Sequence, residues 1–125
     1  MKTLRVGIAS YNEMKAMTFA IARGKLKLGP RDPRIWFPST ESFARVLSAS
    51  NRDLLRLIAE NEPSSLDKLA QLTGRKKPNL SRTLKTMANY GLVRLDRGPR
   101  GRIAPKVTHA RIELALPLIA KERAA

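Results

Sequence analysis

From Pro63 to Lys106 the chain punctuates its apolar runs so closely that one order of elements fits: helix, turn, helix, strand, tip, strand. The stretch reads PSSLDKLAQLTGRKKPNLSRTLKTMANYGLVRLDRGPRGRIAPK. Ser64 stands three residues before Asp67, a capping spacing, and opens a helix over Leu66 to Leu72. Thr73, Gly74 and Arg75 form the turn. Pro78 sits where a first-turn proline is tolerated. The next helix runs to about Tyr90 and ends on Gly91, a left-handed terminator. Leu92 to Asp96 and Arg102 to Val107 make two strands around Gly98-Pro99-Arg100-Gly101, whose glycines supply positive φ.

The second helix has a defined inside. Leu80, Leu84 and Met87 fall at i, i+4 and i+7, one stripe. That stripe is expected to face a core of Leu54, Leu57, Ile58, Leu66, Leu69 and Leu72. The opposite side then presents Asn79, Ser81, Arg82, Thr83, Lys85, Thr86 and Asn89. An isolated amphipathic helix with a polar face would look the same. The preceding helix and turn, and the stop signals at both ends, separate this one from that case.

The remaining chain supplies supporting elements. Leu4 to Ala9 is a short strand. Ser10 and Glu13 have capping-box spacing and start a helix from about Tyr11 to Arg23, with Met14, Met17, Ala20 and Ile21 on one face and Gly24 at its end. A charged, proline-containing loop leads to Ile35, Trp36 and Phe37, an edge strand read as core or subunit packing. Ser39 or Thr40 caps a helix through about Ser48. Ser50 or Asn51 starts another that reaches Glu60 with Leu54, Leu55, Leu57 and Ile58 inward; Asn61 and Pro63 stop it. From His109 onward Pro117 interrupts an apolar tail, expected as a short helix or an extended packing segment.

Charge excludes several classes of function. The 125 residues carry a net charge of +15 and no cysteine. Disulfides, thiolate chemistry and cysteine-bound zinc are therefore absent. His109 is the only histidine, so no histidine cluster exists for metal or acid–base work, and no paired constellation supports an enzyme. Glu60 and Glu62 are read as solvated, and Asp53 and Asp67 as helix-terminus residues. No cofactor is expected. No apolar run reaches the roughly 18 residues of a membrane span, and the N-terminus does not match a signal peptide, so a cytoplasmic location is expected. Between Arg75 and Lys106 ten Lys/Arg stand against Asp96 alone. Such a run favours a polyanion, nucleic acid before an acidic membrane.

Groove reading needs forked donors, amides and short hydroxyls, because base edges offer paired donors and acceptors. Arg82 suits bidentate contact to guanine, and Asn79 suits adenine. Ser81 and Thr83 can serve base or phosphate. Lys76, Lys77, Lys85 and Thr86 are assigned to phosphates, which supply affinity rather than sequence choice. Arg97, Arg100 and Arg102 at the hairpin tip fit a minor groove or its phosphates.

The segment AQLTGRKKPNLSRTLKTMANYGLV resembles the reading head of MarR-like and ArsR-like winged helix-turn-helix regulators. The likeness covers about residues 50 to 107. More narrowly, the chain from VGIASYNEMK to the RGRIAPK wing resembles a group of short prokaryotic predicted regulators, some acting as antitoxins. It departs from full-length MarR proteins, which carry long dimerisation helices at both ends.

The resemblance implies an α+β fold. With the order of elements along the chain it gives a winged helix-turn-helix domain at 39–107, preceded by an N-terminal strand–helix extension at 1–38 and followed by a C-terminal packing segment at 108–125. It implies a sequence-specific, homodimeric DNA-binding repressor acting on double-stranded DNA. Two alternatives stand beside it: an antitoxin that neutralises a protein toxin and autoregulates its operon, and an RNA-binding winged-helix protein. The apolar stretches Leu4–Ile21, Ile35–Phe37 and Ile112–Ile119 are assigned to the dimer surface, since one reading head cannot bury them all.

Overall fold

A computed structural model describes residues 2–119. The fold is mixed α/β. Its elements are β1 (Lys2–Ile8), α1 (Tyr11–Ala22), β2 (Ile35–Phe37), α2 (Thr40–Val46), α3 (Ala49–Asn61), α4 (Leu66–Thr73), α5 (Lys77–Asn89), β3 (Val93–Arg97), β4 (Ile103–Val107) and β5 (His109–Ala115). The expected C-terminal segment is thus extended, although its residues 120–125 lie outside the described part. Two compact units divide the described residues, one built on Ala44–Ala110 and the other on Thr3–Phe43 with residues 111–119.

The first unit contains α3, α4, α5 and the antiparallel hairpin β3–β4. Its core is Leu54 and Ile58 of α3, Leu66 and Leu69 of α4, Leu80, Leu84 and Met87 of α5, Leu92 and Val93 at the hairpin base, and Pro105 at its middle. The Leu80–Leu84–Met87 stripe is fully buried, at 0%, 1% and 0% exposure, as its spacing predicts. Leu72 is a correction: it is 48% exposed. Each three-residue step falls about 60° short of a full helical turn, so Leu72 has rotated away from the line of Leu66 and Leu69. Leu55 and Leu57 reach only partial burial.

Two helix starts also move. Ser48, rather than Ser50 or Asn51, caps α3, its hydroxyl accepting from the Asn51 amide at 3.2 Å. Ser65, rather than Ser64, caps α4 and accepts from the Lys68 amide at 3.2 Å. Paired serines offer two registers, and burial of Leu66 in the core selects the one that begins there. Helix α3 ends on Glu62 in the left-handed region, and α4 ends on Gly74 in the same conformation.

The second unit holds a three-stranded sheet of order β2-β1-β5, with β1 and β2 parallel and Val6, Gly7 and Ile8 beside Ile35, Trp36 and Phe37. Leu4, Val6, Ala9 and Phe37 are buried, and Phe43 meets Phe37 edge-on at 5.2 Å between centroids. Gly7 lies under the Trp36 ring: a Cβ there would come within 2.4 Å of it. Helix α1 has its full capping box, Glu13 N to Ser10 Oγ at 3.2 Å and Ser10 N to Glu13 Oε1 at 2.9 Å. Its expected inner face is weaker than its spacing suggested. Met14, Met17 and Ala20 are half-buried, while Phe19 and Ile21 are exposed. The apolar residues are spread around this helix, since Phe19 and Ile21, two apart, cannot share a stripe.

Candidate nucleic-acid interface

Burial of Leu80, Leu84 and Met87 fixes how α5 is turned. At about 100° per residue, Arg82 and Asn89 lie almost diametrically opposite the buried stripe, with Lys85 beside them. Arg82, Lys85, Asn89, Asn79 and Thr86 are exposed, whereas Ser81 and Thr83 are half-buried on the shoulders. Thr86 Oγ1 donates to the Arg82 carbonyl at 3.2 Å, so that hydroxyl proton is spent on its own helix.

The start of α5 meets its surroundings through Lys76 and Lys77. Lys76 occupies the N-cap without a side-chain cap bond and is exposed. Lys77 pairs with Asp67 in the first turn of α4 at 3.1 Å. Arg75 points elsewhere: its guanidinium bonds Ser50 O at 3.1 Å, Ser50 Oγ at 2.5 Å and Asn51 Oδ1 at 3.4 Å. It therefore ties the turn between α4 and α5 to the start of α3, a role that spacing alone does not reveal.

The hairpin pairs Arg97 with Ile103 and closes over Gly98–Arg102, with the Arg102 amide bonded to Pro99 O at 3.3 Å. Arg100 has φ 62° and ψ 27°, and Gly101 has φ 71°. These are the left-handed values of a primed turn, whose twist suits a hairpin. The expectation that both glycines supply positive φ is corrected: Gly98 has φ −108°, and Arg100 takes the second left-handed position. Arg97, Arg100 and Arg102 are all exposed.

Lower on the same hairpin, Arg94 forks onto Asp96, with Nε to Oδ1 at 2.7 Å and Nη2 to Oδ2 at 3.1 Å. This bond, then the charge of Arg94, holds the Asp96 carboxyl below its ordinary value; Lys106 adds to the effect. The same hydrogen bond raises Arg94. Of the ten cations counted between Arg75 and Lys106, Arg75, Lys77, Arg94 and Lys106 thus have acceptors or acidic neighbours. Lys76, Arg82, Lys85, Arg97, Arg100 and Arg102 are exposed and have no acidic partner among the described residues.

A cleft of about 600 Å³ lies between the starts of α4 and α5 and the hairpin tip, lined by Ser65, Asp67, Lys77, Ser81, Arg100 and Arg102 among others. It brings Ser81 and Lys77 to the same opening as two tip arginines. Asn79, Arg82, Thr83, Lys85, Thr86 and Arg97 are not among its lining residues. His109 is half-buried, with Nδ1 2.8 Å from Thr108 Oγ1. No group of three or more His, Cys, Asp or Glu side chains suited to a metal occurs among the described residues, and no helix among them is long and apolar enough to cross a membrane.

Residues 46–114 match the model of a family described as HVO_A0114. The matched span runs from the last residue of α2 through α5 and the hairpin into β5. No curated protein and no solved structure matches the chain.

Proposed function

The chain belongs to the HVO_A0114 family, and on the surface that its matched segment builds we propose a sequence-specific, DNA-binding transcriptional regulator that acts as a homodimeric repressor. In this reading α4, the turn and α5 are a helix-turn-helix, and β3–β4 is its wing, in the manner of MarR-like and ArsR-like regulators. One observation carries it: six exposed cations without acidic partners among the described residues, Lys76, Arg82, Lys85, Arg97, Arg100 and Arg102, flank or occupy a helix whose opposite side is anchored in the core. Solvation alone accounts for scattered lysines. It does not account for a cationic surface centred on an outward helix ridge with amides at Asn79 and Asn89.

The roles follow from chemistry. Arg82 offers a planar fork to guanine O6 and N7 in the major groove, and Asn79 offers an amide to adenine. Ser81 and Thr83 bond base or phosphate. Lys76, Lys77 and Lys85 hold phosphates and set the register, and Thr86 joins them only by releasing the Arg82 carbonyl, to which its hydroxyl donates. Arg97, Arg100 and Arg102 reach the neighbouring minor groove or its backbone. Duplexes selected from a random pool test this reading. The wild type is expected to enrich a motif, and Arg82→Ala to lose preference at one base pair, costing roughly 1–3 kcal/mol on the preferred site. No enrichment, or unchanged preference in Arg82→Ala, would refute it.

A further inference from the structure

The two edges of the three-stranded sheet differ. Among the described residues β2 is three residues long, with Pro33 and Pro38 close by on either side, a short and blunted edge. Among the described residues strand β5 forms the opposite edge, is seven residues long, and meets no proline before Pro117. An edge of that length leaves a row of backbone donors and acceptors for another strand.

We propose that the occupant is β5 of a second copy, paired antiparallel about a two-fold axis through Ile112. This inference rests on the homodimeric part of the reading above and gives that dimer its surface. The argument comes from the charge order of the strand, HARIELA. An axis at Ile112 pairs the strand along its full length. It sets Arg111 directly opposite Glu113 of the partner subunit, and Glu113 opposite the partner's Arg111. Moving the axis by one residue either way sets Arg111 against its own copy, or Glu113 against its own copy. Such like-charge pairs are unfavourable when directly opposed. The full-length register is therefore also the charge-complementary one.

Both faces of the strand fit that register. On one face, Glu113 is held by Arg5 of β1 at 2.5 Å and by Arg111 at 2.9 Å; the partner's Arg111 extends this row. On the other, Ile112 meets its own copy at the axis and Leu114, 37% exposed in the single chain, comes to face Ala110 of the partner subunit. The dimer turns two open edges into one continuous sheet and covers apolar surface at its centre.

The full chain has no cysteine, so single cysteines report the register cleanly. Directly opposed Cα atoms lie about 4.5–5.5 Å apart in an antiparallel pair, within disulfide reach. Ile112→Cys is expected to form a covalent dimer rapidly under mild oxidation without DNA. Leu114→Cys is not, because its copy lies four residues along the partner strand, roughly 13 Å away. Equal crosslinking of both variants, or of neither, would overturn the proposal. Sedimentation is the second measurement, on exposed positions. The wild type should be a dimer at tens of micromolar and Arg111→Glu a monomer that keeps the wild-type Trp36 fluorescence. A monomeric wild type, or a dimer indifferent to Arg111→Glu, would also overturn it. Either failure leaves duplex binding by a single reading head intact, and loss of duplex binding leaves the crosslink intact.

Discussion

Lys77 and Arg100 show how single side chains set the strength of the cationic surface. Lys77 is held by Asp67 at 3.1 Å, so a phosphate bound there as proposed has to displace that carboxylate. Exposed pairs of this kind contribute about 0–1 kcal/mol. Asp67→Asn is therefore expected to change the melting temperature little and to tighten binding to every duplex, as measured by fluorescence anisotropy. Arg100 sits at φ 62°, a conformation that costs an L-residue about 1–2 kcal/mol. A Gly at 100 removes that cost and the guanidinium together. Arg100→Gly is expected to stabilise the chain by about 1 kcal/mol in urea unfolding while weakening duplex binding. Parallel changes in both readouts would deny Arg100 a role in contact. Neither the Lys77–Asp67 pair nor the strained arginine can be read from spacing, since both depend on how the starts of two helices and a hairpin tip meet.

At the scale of elements, the anchored face of α5 is the support for everything outside it. Leu84 is 1% exposed, and Leu84→Ala should cost about 2–5 kcal/mol in denaturant unfolding. In the other unit, Gly7→Ala forces a methyl into the Trp36 ring, an overpacking expected to cost about 1–3 kcal/mol and to shift the emission of the chain's single tryptophan. The hairpin has its own acid sensitivity. Asp96 is held below its ordinary 3.8 by Arg94. The pair's contribution is present above that ordinary value and is lost as pH falls through the lowered one. Carboxyl NMR should find the Asp96 midpoint below 3.8, and Arg94→Ala should move it back up. Strong, single-sided patterns such as Leu80–Leu84–Met87 were legible because periodicity alone places them. Element ends were less so: the Ser64–Ser65 and Ser48–Ser50 choices depend on which neighbouring apolar residue the core accepts. Helix α1 shows the limit, since good caps fix its ends while its dispersed apolar residues leave its inner face undefined. The edge strand β5 was open for the same reason: its residues suit a helix or a strand until β1 pairs with it.

For the whole molecule, the distribution of charge predicts how binding responds to salt. The six cations proposed to meet the duplex backbone, Lys76, Lys77, Lys85, Arg97, Arg100 and Arg102, imply that log K falls with log salt with a slope near 5 for one chain. A homodimer on a two-fold site should approach twice that, and Arg111→Glu should return it toward the single-head value. The most direct test of the account is an NMR map of backbone and arginine side-chain shifts as a selected duplex is added. Changes are expected to concentrate on Lys76, Asn79, Arg82, Lys85 and Asn89 of α5 and its start, and on Arg97 to Arg102 at the tip, with Leu80, Leu84 and Met87 still buried. Changes confined to α1 and the β2-β1-β5 sheet, with Arg82 unmoved, would contradict it.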